Sequence, residues 1–113
     1  MELIKHDNWI KGKNYQKRIL LDNFNKQISL IEDVIIVAGG KIPLHKHNST
    51  DEIFYITKSL AIMTVDAKEF KVSPGDMIYV NKNERHGFRN NDNKEFKMLV
   101  MKINFQKGDS YLK

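Results

Sequence analysis

Short runs of apolar and β-branched residues recur along most of the chain, and the three- to four-residue spacing of an amphipathic helix is nearly absent. The runs are rich in Ile, Val, Phe, Tyr and Thr, with Gly, Pro, Asn or Asp between them. This pattern predicts nine strands, at 15–21, 28–37, 42–47, 52–57, 60–66, 68–72, 77–80, 84–89 and 95–105. Short strands in this number favour an all-β sandwich or small barrel.

The length of 113 residues allows one hydrophobic core and not two, so we expect a single domain over 1–113. The polar ends, 1–14 and 106–113, are each expected to be an edge arm or a loose end. No apolar stretch is long enough for a transmembrane helix, and the first residues lack the apolar region of a secretory signal. We therefore expect a cytoplasmic protein without a membrane partner.

Charge and cysteine content narrow the classes of function. Nineteen basic residues face fourteen acidic ones, but the signs alternate along the chain and only three of the basic residues are arginine. This favours a solvated lysine-rich surface over nucleic-acid binding. The chain has no cysteine, so any metal must be held by His, Asp or Glu.

Three of the four histidines fall in two short segments. His45 and His47 lie two residues apart on a predicted strand, so their side chains point to the same face, about 7 Å apart along the strand. Glu52 could add a carboxylate if the next strand pairs beside the first, and His86 comes from a distant hairpin. His6 lies outside both segments and is interpreted as a surface residue.

Three neutral imidazoles and one carboxylate fill about four of the six positions of an octahedral divalent ion and leave about two open. An open site of this kind is typical of a catalytic or binding centre. Nitrogen and oxygen donors without sulfur suit Fe, Mn, Ni, Zn, Co or Cu, and the sequence does not choose among them.

The first of these segments resembles the first motif of the cupin superfamily, a glycine, five residues, His-x-His, three or four residues, a glutamate, six residues and a glycine. Gly39, His45, His47 and Glu52 keep these spacings, and Ser59 stands at the final glycine position. The departure concerns the shape of a turn and leaves the ligand positions intact.

The second segment resembles the second cupin motif, a glycine, five residues, proline, one residue, glycine, two residues, histidine, three residues and asparagine. Gly75, His86 and Asn90 match it, while Asn81 and Asn83 stand where the family has proline and glycine. Asparagine tolerates positive φ, so Asn83 is a mild substitution.

The resemblance covers about 28–106 and implies a single-domain cupin-type β-barrel, or double-stranded β-helix (jelly roll), with an N-terminal arm or strand at 1–27 and a polar tail at 107–113. It implies one divalent transition metal held by His45, His47, Glu52 and His86.

The function implied is a metal-dependent enzyme acting on a small oxygen-bearing substrate, with dioxygenase chemistry placed before isomerase or decarboxylase chemistry. No residue outside the metal centre is assigned a catalytic role. The alternative is a binding or sensor module that holds a small molecule without turnover.

Strand alternation adds candidates around the site. If the four ligand residues face inward, Phe54, Ile56 and Phe88 do so as well, and they would form an apolar wall for substrate or ordinary core. Lys17 or Arg18 could bind an anionic substrate if it faced the barrel mouth, although solvent exposure is the favoured interpretation.

The last strand has two apolar faces. One, with Phe96, Met98 and Val100, is expected to fill the barrel. The other, formed by Leu99, Met101, Ile103 and Phe105, is expected to pack against a second copy in a homodimer.

Overall fold

The computed structural model describes residues 8–22 and 28–112, and these residues form strands without any helix. The strands are β1 (Ile10–Lys11), β2 (Tyr15–Asp22), β3 (Ile28–Ile36), β4 (Lys41–Lys46), β5 (Asp51–Lys58), β6 (Ala61–Val65), β7 (Lys68–Val72), β8 (Met77–Val80), β9 (His86–Arg89), β10 (Phe96–Ile103) and β11 (Tyr111–Leu112). In this part of the chain there is accordingly no helix that could cross a membrane.

The strands form two antiparallel sheets that face each other. The six-stranded sheet has the order β1-β2-β3-β10-β5-β8, and the five-stranded sheet has the order β11-β4-β9-β6-β7. Several neighbours are distant in sequence, such as β3 beside β10 and β4 beside β9, which is the crossed connectivity of a jelly roll. The predicted all-β jelly roll is confirmed, as two sheets and not one continuously bonded barrel within the described residues.

Strand alternation places the core between the sheets. Its fully buried side chains include Ile36, Ile56, Met63, Phe88 and Phe96, none of which is more than 1% exposed. Because successive side chains point to opposite faces, each strand gives every second residue to this core.

The last strand follows its predicted alternation only to its end. Phe96, Met98 and Val100 are buried in the core, and Leu99 lies half-buried on the other face. Phe105 was expected on that outer face, but it lines the internal cavity. The strand ends at Ile103 and the next residue, Asn104, has φ of 57°, which breaks the alternation.

Two residues that replace motif glycines adopt the backbone conformation that the glycines would have. Ser59 and Asn83 have φ values of 67° and 70°, the left-handed region that glycine adopts at little cost. The turns are therefore kept without glycine, with a strain that is larger for serine than for asparagine.

Candidate metal centre

The four predicted ligand residues lie together between the two sheets. One nitrogen from each of three histidines and one carboxylate oxygen lie within 4.8 Å of one another, contributed by His45, His47, Glu52 and His86. His45 is partly exposed and the other three are buried. We refer to these four residues as the His3Glu cluster.

A bulge in β4 turns His45 toward the cluster. The β4–β9 register pairs Ile42 with Phe88 and then His45 with His86, with a shift between the two pairs around Pro43. The extra residue lets Ile42 and His45 both face the interior although they are three positions apart.

Gly87 makes this arrangement of β4 and β9 possible. A Cβ atom at Gly87 would lie 2.7 Å from the carbonyl oxygen of Ile42 and 3.1 Å from the nitrogen of Leu44. The bulged strand therefore approaches β9 more closely than any side chain would allow. Sequence reasoning did not single out Gly87, since its role depends on the neighbouring backbone.

Glu52 and His86 come from different sheets and meet between them. Glu52, 3% exposed on β5, belongs to the six-stranded sheet, whereas His86 begins β9 of the five-stranded sheet. The Glu52 Oε1 atom lies 2.7 Å from Nε2 of His86 and 3.0 Å from Nε2 of His47.

The chemistry of these atoms tests whether the cluster fits a metal. The Nδ1 atom of each histidine bonds a backbone carbonyl, that of Pro43 at 2.8 Å for His45, Glu84 at 3.1 Å for His86, and Asp109 for His47. A carbonyl only accepts, so each Nδ1 carries the proton and each neutral ring presents a lone pair at Nε2.

Three lone pairs and a carboxylate oxygen thus converge without a donor between them. The Nε2 atoms of His47 and His86 and the Oε1 atom of Glu52 are buried and have no hydrogen-bond partner. Acceptors at 2.7 to 3.0 Å repel one another unless a proton or a cation lies between them. The donor set of three nitrogens and one oxygen fits a divalent transition metal.

The pKa directions follow from burial and from the shared carboxylate. Burial and the neighbouring His86 lower the pKa of His45 to about 4, so this ring is neutral at physiological pH. Burial also acts to lower the pKa of His47, but its contact with Glu52 outweighs this and the net pKa is raised. Burial would raise the pKa of Glu52, yet His47 and His86 hold it well below its usual range.

The C-terminal segment positions His47, a role that sequence reasoning missed. Asp109 is 8% exposed, and its backbone carbonyl accepts the Nδ1 proton of His47. Its carboxylate accepts bonds from the backbone N–H of Asn48 at 2.9 Å, the N–H of Ser49 at 2.8 Å and the hydroxyl of Thr50 at 3.1 Å. The polar composition of this segment gave no signal of the role.

A cavity of about 400 Å³ opens beside the His3Glu cluster. Phe54 and Phe88 line it, whereas Ile56 is fully buried in the core and does not belong to the lining. Tyr15 and Lys17 of β2 also line the cavity, while Arg18 faces the other side and pairs with Asp33 at 3.4 Å.

Two further residues that the sequence brought to attention have different outcomes. Asn90 is 1% exposed and its side-chain amide donates to the carbonyls of Ile36, Val37 and Lys94, so it bridges backbone groups. His6 lies outside the described residues.

Comparison with known proteins gives relatives of similar sequence. An uncharacterised protein of Methanocaldococcus jannaschii is 36% identical over 69 residues, 61% of this chain. An oxalate-binding protein of Thermotoga maritima is 28% identical over 65 residues, 58% of this chain. The alignments span 55% and 54% of the lengths of these relatives.

Solved structures of similar fold are also found. The crystal structure of a predicted oxalate decarboxylase from Thermotoga maritima superimposes with a TM-score of 0.76 at 25% identity, over 88% of this chain and 92% of that one. The family model described as "Cupin domain" matches residues 33–102, which contain the whole His3Glu cluster. By this match over more than half its length, the chain belongs to the cupin family.

Proposed function

We propose that His45, His47, Glu52 and His86 hold one divalent transition-metal ion and that the protein is a metal-dependent enzyme acting on a small oxygen-bearing substrate. The observation that carries this proposal is the convergence of three imidazole nitrogens and a carboxylate oxygen within 4.8 Å. The nitrogens of His47 and His86 and the oxygen of Glu52 are buried without a hydrogen-bond partner. When bound, such an ion supplies Lewis acidity toward a substrate oxygen.

The protein's own residues would supply the surroundings for this chemistry. Phe54 and Phe88 present aromatic rings to the cavity, with centroids 5.1 Å apart, and exclude water from the wall beside the cluster. Asp109 and the carbonyl of Glu84 fix the tautomers of two ligand rings. Dioxygenase chemistry is the first reaction to test, with decarboxylase or isomerase chemistry after it.

A second candidate is binding of a small molecule without turnover. The cavity lining among the described residues contains the carboxylates of Glu32, Glu52 and Asp109. Glu32 is paired with lysine, Asp109 accepts backbone N–H bonds, and Glu52 is assigned to the metal. None is therefore poised as a separate general base. The name of the Thermotoga maritima relative, an oxalate-binding protein, also supports this candidate.

Elemental analysis of the purified protein beside a His45→Ala/His86→Ala variant tests the metal centre. We expect about one equivalent of a transition metal in the wild-type protein and near-complete loss in the variant. Equal metal content in both proteins would overturn the ligand assignment.

Oxygen uptake and product analysis with candidate substrates then separate the two functions. An enzyme consumes substrate, with oxygen uptake if it is a dioxygenase. Tight binding without turnover by the metal-loaded protein would favour the second candidate.

We also propose a homodimer formed through the outer face of the six-stranded sheet. On this face Tyr55, Met77 and Tyr79 are 37%, 63% and 50% exposed, and Leu99 lies directly opposite Tyr55. Light scattering at micromolar concentration should give a dimer mass, and Met77→Glu should shift it toward a monomer. A monomeric wild-type protein would contradict this proposal.

A further inference from the structure

Two lysines and a glutamate form an ion-paired group on the cavity wall, beside the His3Glu cluster and sharing no residue with it. Glu32 on β3 is 4% exposed, and its carboxylate oxygens contact the Nζ atom of Lys102 at 3.2 Å and that of Lys17 at 3.4 Å. All three side chains line the cavity. One carboxylate with two ammonium groups leaves this group with a net charge of +1.

Lys102 is the member next to the metal centre. It lies directly opposite Glu52 in the β10–β5 register, where the Cβ atoms of opposite residues are about 4.5–5.5 Å apart. Its positive charge contributes to the lowered pKa of Glu52. The Lys102 side chain is only 12% exposed, and the Phe105 ring lies over its Nζ atom, 5.3 Å from ring centroid to nitrogen.

Glu32 gives the Lys102 ammonium an ion-pair partner in the cavity wall, with 3.2 Å from the carboxylate oxygen to Nζ. Burying a charge without a partner is costly, and a neighbouring opposite charge offsets this cost. An ammonium group has three donors, so a bond to Glu32 leaves capacity for a second acceptor in the cavity. The pair therefore presents a fixed, charged donor to whatever molecule enters.

The charge balance of the cavity favours an anion once the centre is loaded. With neutral histidines, the lining carries the two lysines against Glu32, Glu52 and Asp109, a net charge of −1 without an ion and +1 with a divalent ion. This positive excess favours an anion over a neutral molecule. The aromatic and aliphatic side chains in the lining favour an organic anion over inorganic phosphate.

We propose that Lys102, held by Glu32 and Lys17, binds the carboxylate of a small organic acid in the cavity beside the His3Glu cluster. This inference rests on the proposed function, because it assigns a substrate or ligand class to the same cavity. The cavity of about 400 Å³, with Phe54, Phe88 and Val34 in its lining, suits a short acid with an apolar carbon chain.

Isothermal titration of the zinc-loaded protein with malonate, and with the uncharged malonamide, tests this inference. Lys102→Met is expected to weaken malonate binding by about tenfold or more and to leave malonamide binding unchanged. Lys102→Arg should restore most of the malonate affinity. Lys97→Met is the matched control, since Lys97 lies on the same strand but on the outer face, and it should change malonate affinity less than about twofold.

Several outcomes would overturn the inference. The first two are absence of malonate binding to the wild-type protein and equal malonate affinity in wild type and Lys102→Met. The other two are a wild-type protein that binds malonamide as tightly as malonate, and Lys102-dependent binding of inorganic phosphate without binding of malonate. Circular dichroism checks that Lys102→Met is folded, and Lys102→Gln replaces it if it is not. Zinc content is measured after each titration.

Failure of the proposed function is distinguishable from failure of the inference. A protein that takes up no zinc refutes the metal centre, and with it the positive excess on which the anion site depends. A protein that takes up zinc at the His3Glu cluster but binds no malonate refutes the anion site alone.

Discussion

At the scale of single residues, the cluster sets up a competition between a proton and a metal ion. His45 is neutral above about pH 4, whereas the raised pKa of His47 places a proton next to Glu52 in the metal-free protein at mildly acidic pH. A metal must displace this proton, so metal affinity rises with pH and falls as His47 is protonated.

The pH dependence can be measured directly. We expect zinc affinity to fall by about tenfold or more per pH unit below the pKa of His47, because the ion must displace at least the proton on His47. His45 should contribute no pH dependence in this range. Competition titrations with a chromophoric chelator from pH 8 to pH 5 give the slope, and equal occupancy at the two ends would count against the ligand assignment.

In the metal-free protein, the buried carboxylate of Glu52 is expected to destabilise the fold. At pH 8 its buried carboxylate faces imidazole lone pairs, an arrangement of acceptors without a donor. In Glu52→Gln, an amide N–H₂ group can donate to the Nε2 atom of His86 or His47. We expect this variant to lose most of its zinc affinity.

The same variant, measured with a chelator present at pH 8, is expected to melt at the same temperature as the wild-type protein or higher. Differential scanning calorimetry measures this melting temperature. A large decrease in the melting temperature of the metal-free variant would show that Glu52 has a purely structural role. Glu69→Gln is a control, since Glu69 is exposed and pairs with Arg89 at the surface.

At the scale of strands and turns, the alternation of apolar and polar residues predicts the strands and the facing of their side chains where the strand is regular. It fails where the backbone has a bulge or a positive φ. Predicted strands such as 68–72 and 77–80 coincide with β7 and β8, and the motif spacing identified the whole cluster. The bulge that turns His45 inward and the positive φ at Asn104 lie outside any alternation rule. The close approach at Gly87 depends on a strand 40 or more residues away in sequence, which one sequence does not show.

The short strand β11 is the element whose functional role was least visible in the sequence. It pairs with β4 beside His45, and Asp109 just before it connects the 48–50 loop to His47. Asp109→Ala removes three hydrogen bonds to this loop, so the carbonyl that orients His47 loses its support. We expect zinc affinity to fall by about tenfold or more.

Competition titration measures this loss, and Asp76→Ala is the matched control. Asp76 also accepts a backbone N–H bond, from Ser73 at 2.8 Å, but in an exposed turn outside the cavity lining. Its substitution should leave zinc affinity unchanged. Equal affinities in the two variants would mean that the C-terminal segment covers the site without positioning its ligand.

At the scale of the whole molecule, the His3Glu cluster connects the two sheets of the jelly roll. His45 and His86 belong to the five-stranded sheet and Glu52 to the six-stranded sheet, so an ion held by all of them would link the layers across the core. A ligand that binds only the folded state stabilises it by an amount that grows with the ratio of free ligand to Kd. At a free concentration 100 times Kd, this amounts to about 2.7 kcal/mol.

We therefore expect saturating zinc to raise the melting temperature of the protein by about 10 °C, and a chelator to reverse the increase. Because the link needs ligands from both sheets, His86→Ala and Glu52→Gln should each lose most of the zinc-induced increase, whatever their melting temperatures without metal. Thermal unfolding of the three proteins followed by circular dichroism, with and without zinc, measures these increases. An increase of the same size in His86→Ala would mean that the stabilising ion binds at another site on the protein. In that case an ion at the His3Glu cluster would not be what links the two sheets.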